Sequence, residues 1–326
     1  MSRSPLPWRA FLLATVVALL AGCAQLVPQT MALRTGWPDS VPQSVDIPGV
    51  PFFPQDEYQC GPAALATVLA HGGVAITPEP LVEQVYLPAR HGSLQIEMLA
   101  AARRYGRVPY VLAPRYADLL REVAAGNPVL VLQDTGLLWT GWHYAVVNGF
   151  DYASGTVYLR SGTHAREEMS FTAFERSWIQ SGYWAMVAMP PGRLAATATE
   201  DAWMNAVLPM ARVADPTSAT TAFATALRRW PDNQAAAVGL ANQLHAQGDL
   251  GPAADVLREA RRRHVDSAIV ANNLAQVLSD LGRQDEAMAA LGPLATDAGN
   301  PYATELRATR ELILRRKQGL GTTAAQ

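Results

Sequence analysis

Small and apolar residues recur at a fixed spacing of 34 along the last third of the chain, and this restricts the fold more than any other feature of the sequence. Ala241 pairs with Ala275, Leu244 with Leu278, Gly248 with Gly282, Ala253 with Ala287 and Leu257 with Leu291. Ala226 precedes Ala260 by the same step, and Pro231 closes the earlier unit. Small residues let helices cross closely, and a glycine between two helical stretches supplies the turn. One such unit cannot bury its apolar face alone, so successive units must stack. The spacing predicts paired antiparallel helices over 221–315: two full units, a half unit before them and a closing helix near Tyr302 to Arg316. Residues 316–326 read as a tail.

Residues 46–190 carry a different pattern. Gly61 to His71 reads as a helix with Pro62 in its first turn, stopped by Gly72-Gly73. Ser93 is placed to cap a second helix from Leu94 to Tyr105, and Tyr116 to Ala125 reads as a third. Strand signals follow at Val129 to Leu132, His143 to Phe150, Thr156 to Arg160 and Tyr183 to Met189. Asp151 to Gly155 is a turn-rich link that makes the middle pair a hairpin. Helices first and antiparallel strands later define an α+β domain. Residues 191–220 open with a Pro/Gly/Ala/Thr-rich stretch and read as a linker to the helical repeats.

The first 23 residues read as a signal peptide. Arg3 and Arg9 mark a positive start. Ala10 to Ala21 is an apolar run with one threonine, shorter than the roughly 20 residues a spanning helix needs. Leu20-Ala21-Gly22-Cys23 looks like the lipobox of a bacterial lipoprotein, which makes Cys23 the expected site of lipidation and the mature N-terminus. Ala24 rather than Asp follows it, so the expected address is the cell envelope, on the outer membrane facing the periplasm. Residues 24–45, proline-rich and without a periodic apolar face, read as a tether.

The chain has two cysteines, and lipidation consumes one. Cys60 then remains as a lone thiol in an oxidising compartment, which points to a task for it. It stands at the mouth of an alanine-rich helix, where the helix dipole favours thiolate. His143 begins a later strand and is the natural proton acceptor, because imidazole titrates near neutral pH. Gln55 lies five residues before the cysteine, within reach of an oxyanion beside the Cys60 amide. Other candidates are weaker. Gln59 is expected to face away, His71 to end the Cys60 helix, and His91 and His164 to lie in loops. His245 and His264 fall among the repeats. Trp139 and Trp142 suit a cleft wall, but packing beside a hairpin is the heavier reading. The scattered histidines give no metal-ligand spacing, and no cofactor is expected.

Gln55…Cys60-Gly61-Pro62-Ala63-Ala64-Leu65 and His143-Tyr144-Ala145-Val146-Val147-Asn148-Gly149-Phe150-Asp151 together resemble the bacteriocin-processing, double-glycine cysteine peptidases and their stand-alone relatives over about residues 48–190. The resemblance implies a papain-like fold, with Cys60 as nucleophile, His143 as base and Gln55 as oxyanion donor. The family usually carries an aspartate on the strand after the histidine strand; here Ser161 occupies that position. Ser161 is therefore the expected orienter of His143, ahead of a backbone carbonyl or water and then Asp151. Asn148 falls on the opposite face of the histidine strand. The 34-residue units likewise resemble tetratricopeptide repeats, which implies a helical solenoid.

These readings combine as a membrane-tethered, exported cysteine peptidase with a peptide or protein substrate. The repeat domain is expected to recruit a protein or peptide partner. A catalytically weak peptidase-fold assembly protein of the envelope is the alternative that Ser161 favours, and a thiol acyltransferase is a third reading. Net charge is −2, with one lysine and 25 arginines and no basic run, so no nucleic-acid partner is expected.

Overall fold

The structure is a computed structural model and describes residues 27–54, 59–90, 92–136, 139–297 and 299–319. Its contacts divide the chain into two compact units. Of the described residues, the first comprises those up to Ala101, Pro109–Ala188 and Ala195–Thr197; the second comprises Ala102–Val108, Met189–Leu194 and those from Ala198.

In chain order the first part of the molecule runs α1 (Pro28–Thr35), β1 (Ser44–Asp46), α2 (Cys60–His71), α3 (Glu79–Val85), β2 (Tyr86–Leu87), β3 (Gly92–Ser93) and α4 (Gln95–Arg104). It continues with β4 (Val108–Val111), α5 (Tyr116–Ala124), β5 (Val129–Asp134), β6 (Trp142–Asp151), β7 (Thr156–Ser161), β8 (His164–Ser170), α6 (Phe171–Trp178) and β9 (Ala185–Met189). The main sheet has seven strands in the order β4-β9-β5-β6-β7-β8, with β1 also on β6. The pairs β5–β6, β6–β7, β7–β8, β5–β9 and β1–β6 are antiparallel. Mixed helices and an antiparallel sheet agree with the α+β expectation.

β6 organises this sheet. Tyr144 to Phe150 are all buried, as expected for an apolar strand covered on both sides. Its register with β7 shifts between Val147 and Gly149. A side chain at Gly149 would meet the Val45 carbonyl at 2.5 Å and the Tyr158 ring at 2.8 Å, so only glycine lets β1 and β7 close on this bulge. The hairpin turn is held by Asp151, whose Oδ1 accepts the Ser154 amide at 2.7 Å. α2 is apolar nearly all round, and Gly61 to Leu69 are buried, which suits a helix enclosed by its neighbours. Behind the sheet Tyr116, Phe171, Phe174 and Trp178 form an aromatic core with ring centroids 5.3–5.8 Å apart.

The expected tether is folded from residue 27 onward. Pro28 starts α1 with no amide to satisfy, and the next two amides donate to the buried Glu175 carboxylate (Gln29 N to Oε1, 2.9 Å; Thr30 N to Oε2, 2.5 Å). Residues 44–46 then pair with the end of β6. Ser93 also departs from expectation: it lies in β3 rather than capping α4, and its buried Oγ has no hydrogen-bond partner.

The expected linker is helical too. Glu200–Val207, Met210–Val213 and Pro216–Arg229 all form helices. Trp203, Ala206, Val207 and Met210 are buried at helical spacing, and Asp215 caps the last helix through the Ser218 amide. The second unit continues with helices Gln234–Ala246, Leu250–Arg263, Ala268–Asp280, Gln284–Leu291 and Ala303–Lys317. Helix starts at 234 and 268, and again at 250 and 284, reproduce the spacing of 34. Gly248 and Gly282 take φ of +85° and +77° between paired helices, and Ala253 and Ala287 are fully buried.

Candidate active site

Cys60 is the first residue of α2, and Gln59 before it is exposed and offers no side-chain cap. The orphan amides of the first helical turn therefore remain near the thiol. α2 packs on β6, the strand that begins with Trp142 and His143. The backbone amide of Tyr144, directly after His143, points to the Cys60 sulfur, as do the amides of Gly61 and Cys60 itself. The helix start that bears the thiol thus lies against the strand that bears the imidazole.

The helix dipole and these amides favour thiolate, but burial acts more strongly and raises the Cys60 pKa above its ordinary value. Burial likewise lowers His143, partly opposed by the Glu167 carboxylate. Both shifts favour the uncharged forms. Burial of the thiol thus works against the thiolate that the helix position favours.

His143 Nε2 lies 3.0 Å from Ser161 Oγ. Ser161 is buried at the end of β7, and the register of Val146 with Arg160 sets it one diagonal step across the sheet from His143. With Nε2 engaged, Nδ1 is the ring nitrogen left to exchange a proton. Asp151 ends β6, eight residues along the strand from His143, and is bonded to Ser154, so it does not meet the ring. Asn148 sits in the bulge and donates to Asp46 Oδ1 at 3.2 Å. Gln55 and Cys23 lie outside the described residues, as does His91.

A tight contact supports the thiol. A Cβ at Gly61 would fall 2.2 Å from Ser93 Oγ and 2.6 Å from its Cβ. β3 therefore fits against the helix start only because residue 61 has no side chain. Tyr144 Oη donates to the Ser93 carbonyl at 3.2 Å, tying β3 to the histidine strand. His71 Nε2 pairs with the Gly126 carbonyl at 3.2 Å at the other end of α2.

Two expectations are corrected here. Trp139 and Trp142 do not pack: they are 87% and 53% exposed, Trp142 directly before His143 in β6. His164 is not in a loop but begins β8, paired with Ser161. Glu167, on the same strand, carried no signal in the sequence. Among the described residues, no group of three or more His, Cys, Asp or Glu side chains is placed to hold a metal ion, and no helix is long and apolar enough to cross a membrane.

A thiol-bearing helix set against an antiparallel sheet that carries an imidazole is the arrangement of a cysteine-peptidase type of domain. Residues 47–186 match the model of the Peptidase_C39 like family, and this supports a papain-like peptidase family for that part of the chain. Among solved structures, a protein described as a C39-like peptidase from Bacillus anthracis is similar at 18% identity, with a TM-score of 0.39. The match covers 47% of this chain and all of that one. No curated protein matches the chain.

Proposed function

We propose that the chain is a lipid-anchored, exported cysteine peptidase in which Cys60 attacks a peptide carbonyl and His143 carries the proton. The observation that supports this most directly is the 3.0 Å contact of His143 Nε2 with Ser161, which aims Nδ1 away from the orienting group. As Cys60 Sγ bonds to the carbonyl carbon, its proton passes to Nδ1, so charge develops only along the reaction coordinate. The amide N–H of Cys60 and the Gln55 side-chain amide serve as donors to the oxyanion. Imidazolium then protonates the departing amine as the C–N bond breaks. A water molecule, deprotonated by His143, hydrolyses the thioester and restores the thiol. Ser161 holds the ring but cannot neutralise imidazolium as a carboxylate does, which implies modest turnover. The exposed Trp139 and Trp142 offer an apolar rim for a peptide substrate.

Lipidation at Cys23, an outer-membrane address and recruitment of a protein partner by tetratricopeptide-like repeats complete the reading. Their support is the lipobox-like sequence and the recurring helical pairs.

The test is cleavage of a fluorogenic peptide pool by the full chain, together with labelling of Cys60 by a peptide epoxide. Cys60→Ala should abolish cleavage, and His143→Ala should lower it about 100-fold or more. A wild-type chain that neither cleaves nor labels at any pH from 6 to 9 would favour a binding or assembly protein, the reading that Ser161 in place of a carboxylate supports.

A further inference from the structure

The sheet carries a carboxylate close to the site from a strand the sequence does not reveal. Leu159 of β7 pairs directly with Glu167 of β8, and Ser161 pairs with His164. Between these pairs one residue of β7 (Arg160) faces two of β8 (Ala165 and Arg166), so an extra residue bulges out of β8. Leu159 and Ser161 lie on one face of β7, and direct cross-strand partners share a face. Glu167 therefore stands on the face that holds Ser161 and His143, one diagonal step beyond Ser161. Diagonal neighbours lie roughly 7–8 Å apart at the backbone, so a glutamate side chain extends toward Ser161, with His143 a second diagonal step away on β6.

We propose that Glu167 is the positioning residue that supplies the missing negative charge to the His143–Ser161 pair, so that the acid of the site comes from β8 rather than β7. The proposal rests on His143 acting as the base, as assigned above. Glu167 is half-buried, whereas its neighbours Arg166 and Glu168 are exposed and paired with each other at 3.1 Å. The carboxylate also opposes the effect of burial on His143. The other titratable groups on the elements packed about β6 are Cys60 at the start of α2, His164 on β8, Tyr144 on β6 itself and Asp134 on β5. Asp134 is occupied by the Gly136 and Gly141 amides, at 3.0 and 2.8 Å. Glu167 is thus the carboxylate on this face without a competing backbone cap. Its charge stabilises imidazolium as the thiol proton transfers.

The experiment follows the His143 imidazole through a pH titration by NMR in the full chain, alongside iodoacetamide modification of Cys60. Glu167→Gln should lower the His143 midpoint by about half a unit or more and slow modification at pH 7 several-fold. Glu167→Asp should recover part of both. Glu168→Gln removes the same charge from the opposite face and should change neither. A His143 midpoint unmoved by Glu167→Gln, or moved equally by Glu168→Gln, overturns the role of Glu167. A wild-type Cys60 that resists modification throughout overturns the peptidase reading instead.

Discussion

At the scale of single residues, the site depends on side chains that are absent as much as on those present. Gly61 follows Cys60, and a Cβ there would meet both Oγ and Cβ of Ser93, so relief cannot come from rotating the serine alone. Gly61→Ala should therefore shift β3 or the helix start, at a cost of about 1–3 kcal/mol, and displace the thiol. Urea denaturation should show the loss, and Gly61→Ala with Ser93→Gly should recover most of it. If Ser93→Gly gave no recovery, the contact would not be the cause. The residues legible in the sequence at this scale are Cys60, His143 and Ser161, because each stands at the boundary of a strongly patterned element. Glu167 is not legible, because its placement depends on a bulge between two strands rather than on any local pattern.

At the scale of elements, α1 shows how distant groups decide what short segments do. Its sequence offers no strong apolar face, and the group that starts it, Glu175, lies 146 residues from Gln29. Glu175 is fully buried and also accepts from Tyr183 Oη at 3.1 Å. Glu175→Ala would leave the Gln29 and Thr30 amides without their charged acceptor. We expect it to destabilise α1 by about 2–3 kcal/mol and to open residues 27–43 to limited proteolysis. Unchanged protease resistance there would mean that apolar contacts such as Leu33 hold the helix instead. The same cause hides other elements. β8 reads as polar because it is an edge strand rich in charge, which suits an edge and disguises a strand. The helices from Glu200 to Val213 follow a Pro/Gly/Ala/Thr stretch whose composition suggests a linker, yet Trp203 gives them a buried anchor. By contrast, the β6–β7 hairpin and the helical pairs spaced by 34 are legible because turn residues and apolar spacing coincide.

At the scale of the whole molecule, the two units differ in how they hold charge, and acid should separate them. In the second unit Asp280 keeps a lowered pKa despite its burial, through His245 Nε2 at 2.7 Å and Arg316 Nη1 at 2.6 Å. That contribution is present above the ordinary aspartate value of 3.8 and is lost only as pH falls through the lower folded value. The first unit instead buries an imidazole whose pKa lies below its ordinary 6.5 and a thiol whose pKa lies above its ordinary 9.0. Between the folded His143 value and 6.5 the unfolded chain binds more protons, so stability falls as pH drops through that window. Above 9.0 the folded thiol keeps its proton longer than the unfolded one, so stability falls again as pH rises. The first unit should therefore be most stable between the two, at pH 6.5 to 9. Hydrogen exchange read by mass spectrometry can follow peptides from 47–186 and from 234–317 in the same sample. Lowering pH from 7 to 5 should weaken protection, corrected for intrinsic rates, in the first set and spare the second. His143→Gln should remove the acid-side loss, and Cys60→Ala the alkaline-side loss. If His143→Gln left the acid response of 47–186 unchanged, the buried neutral imidazole would not be its source.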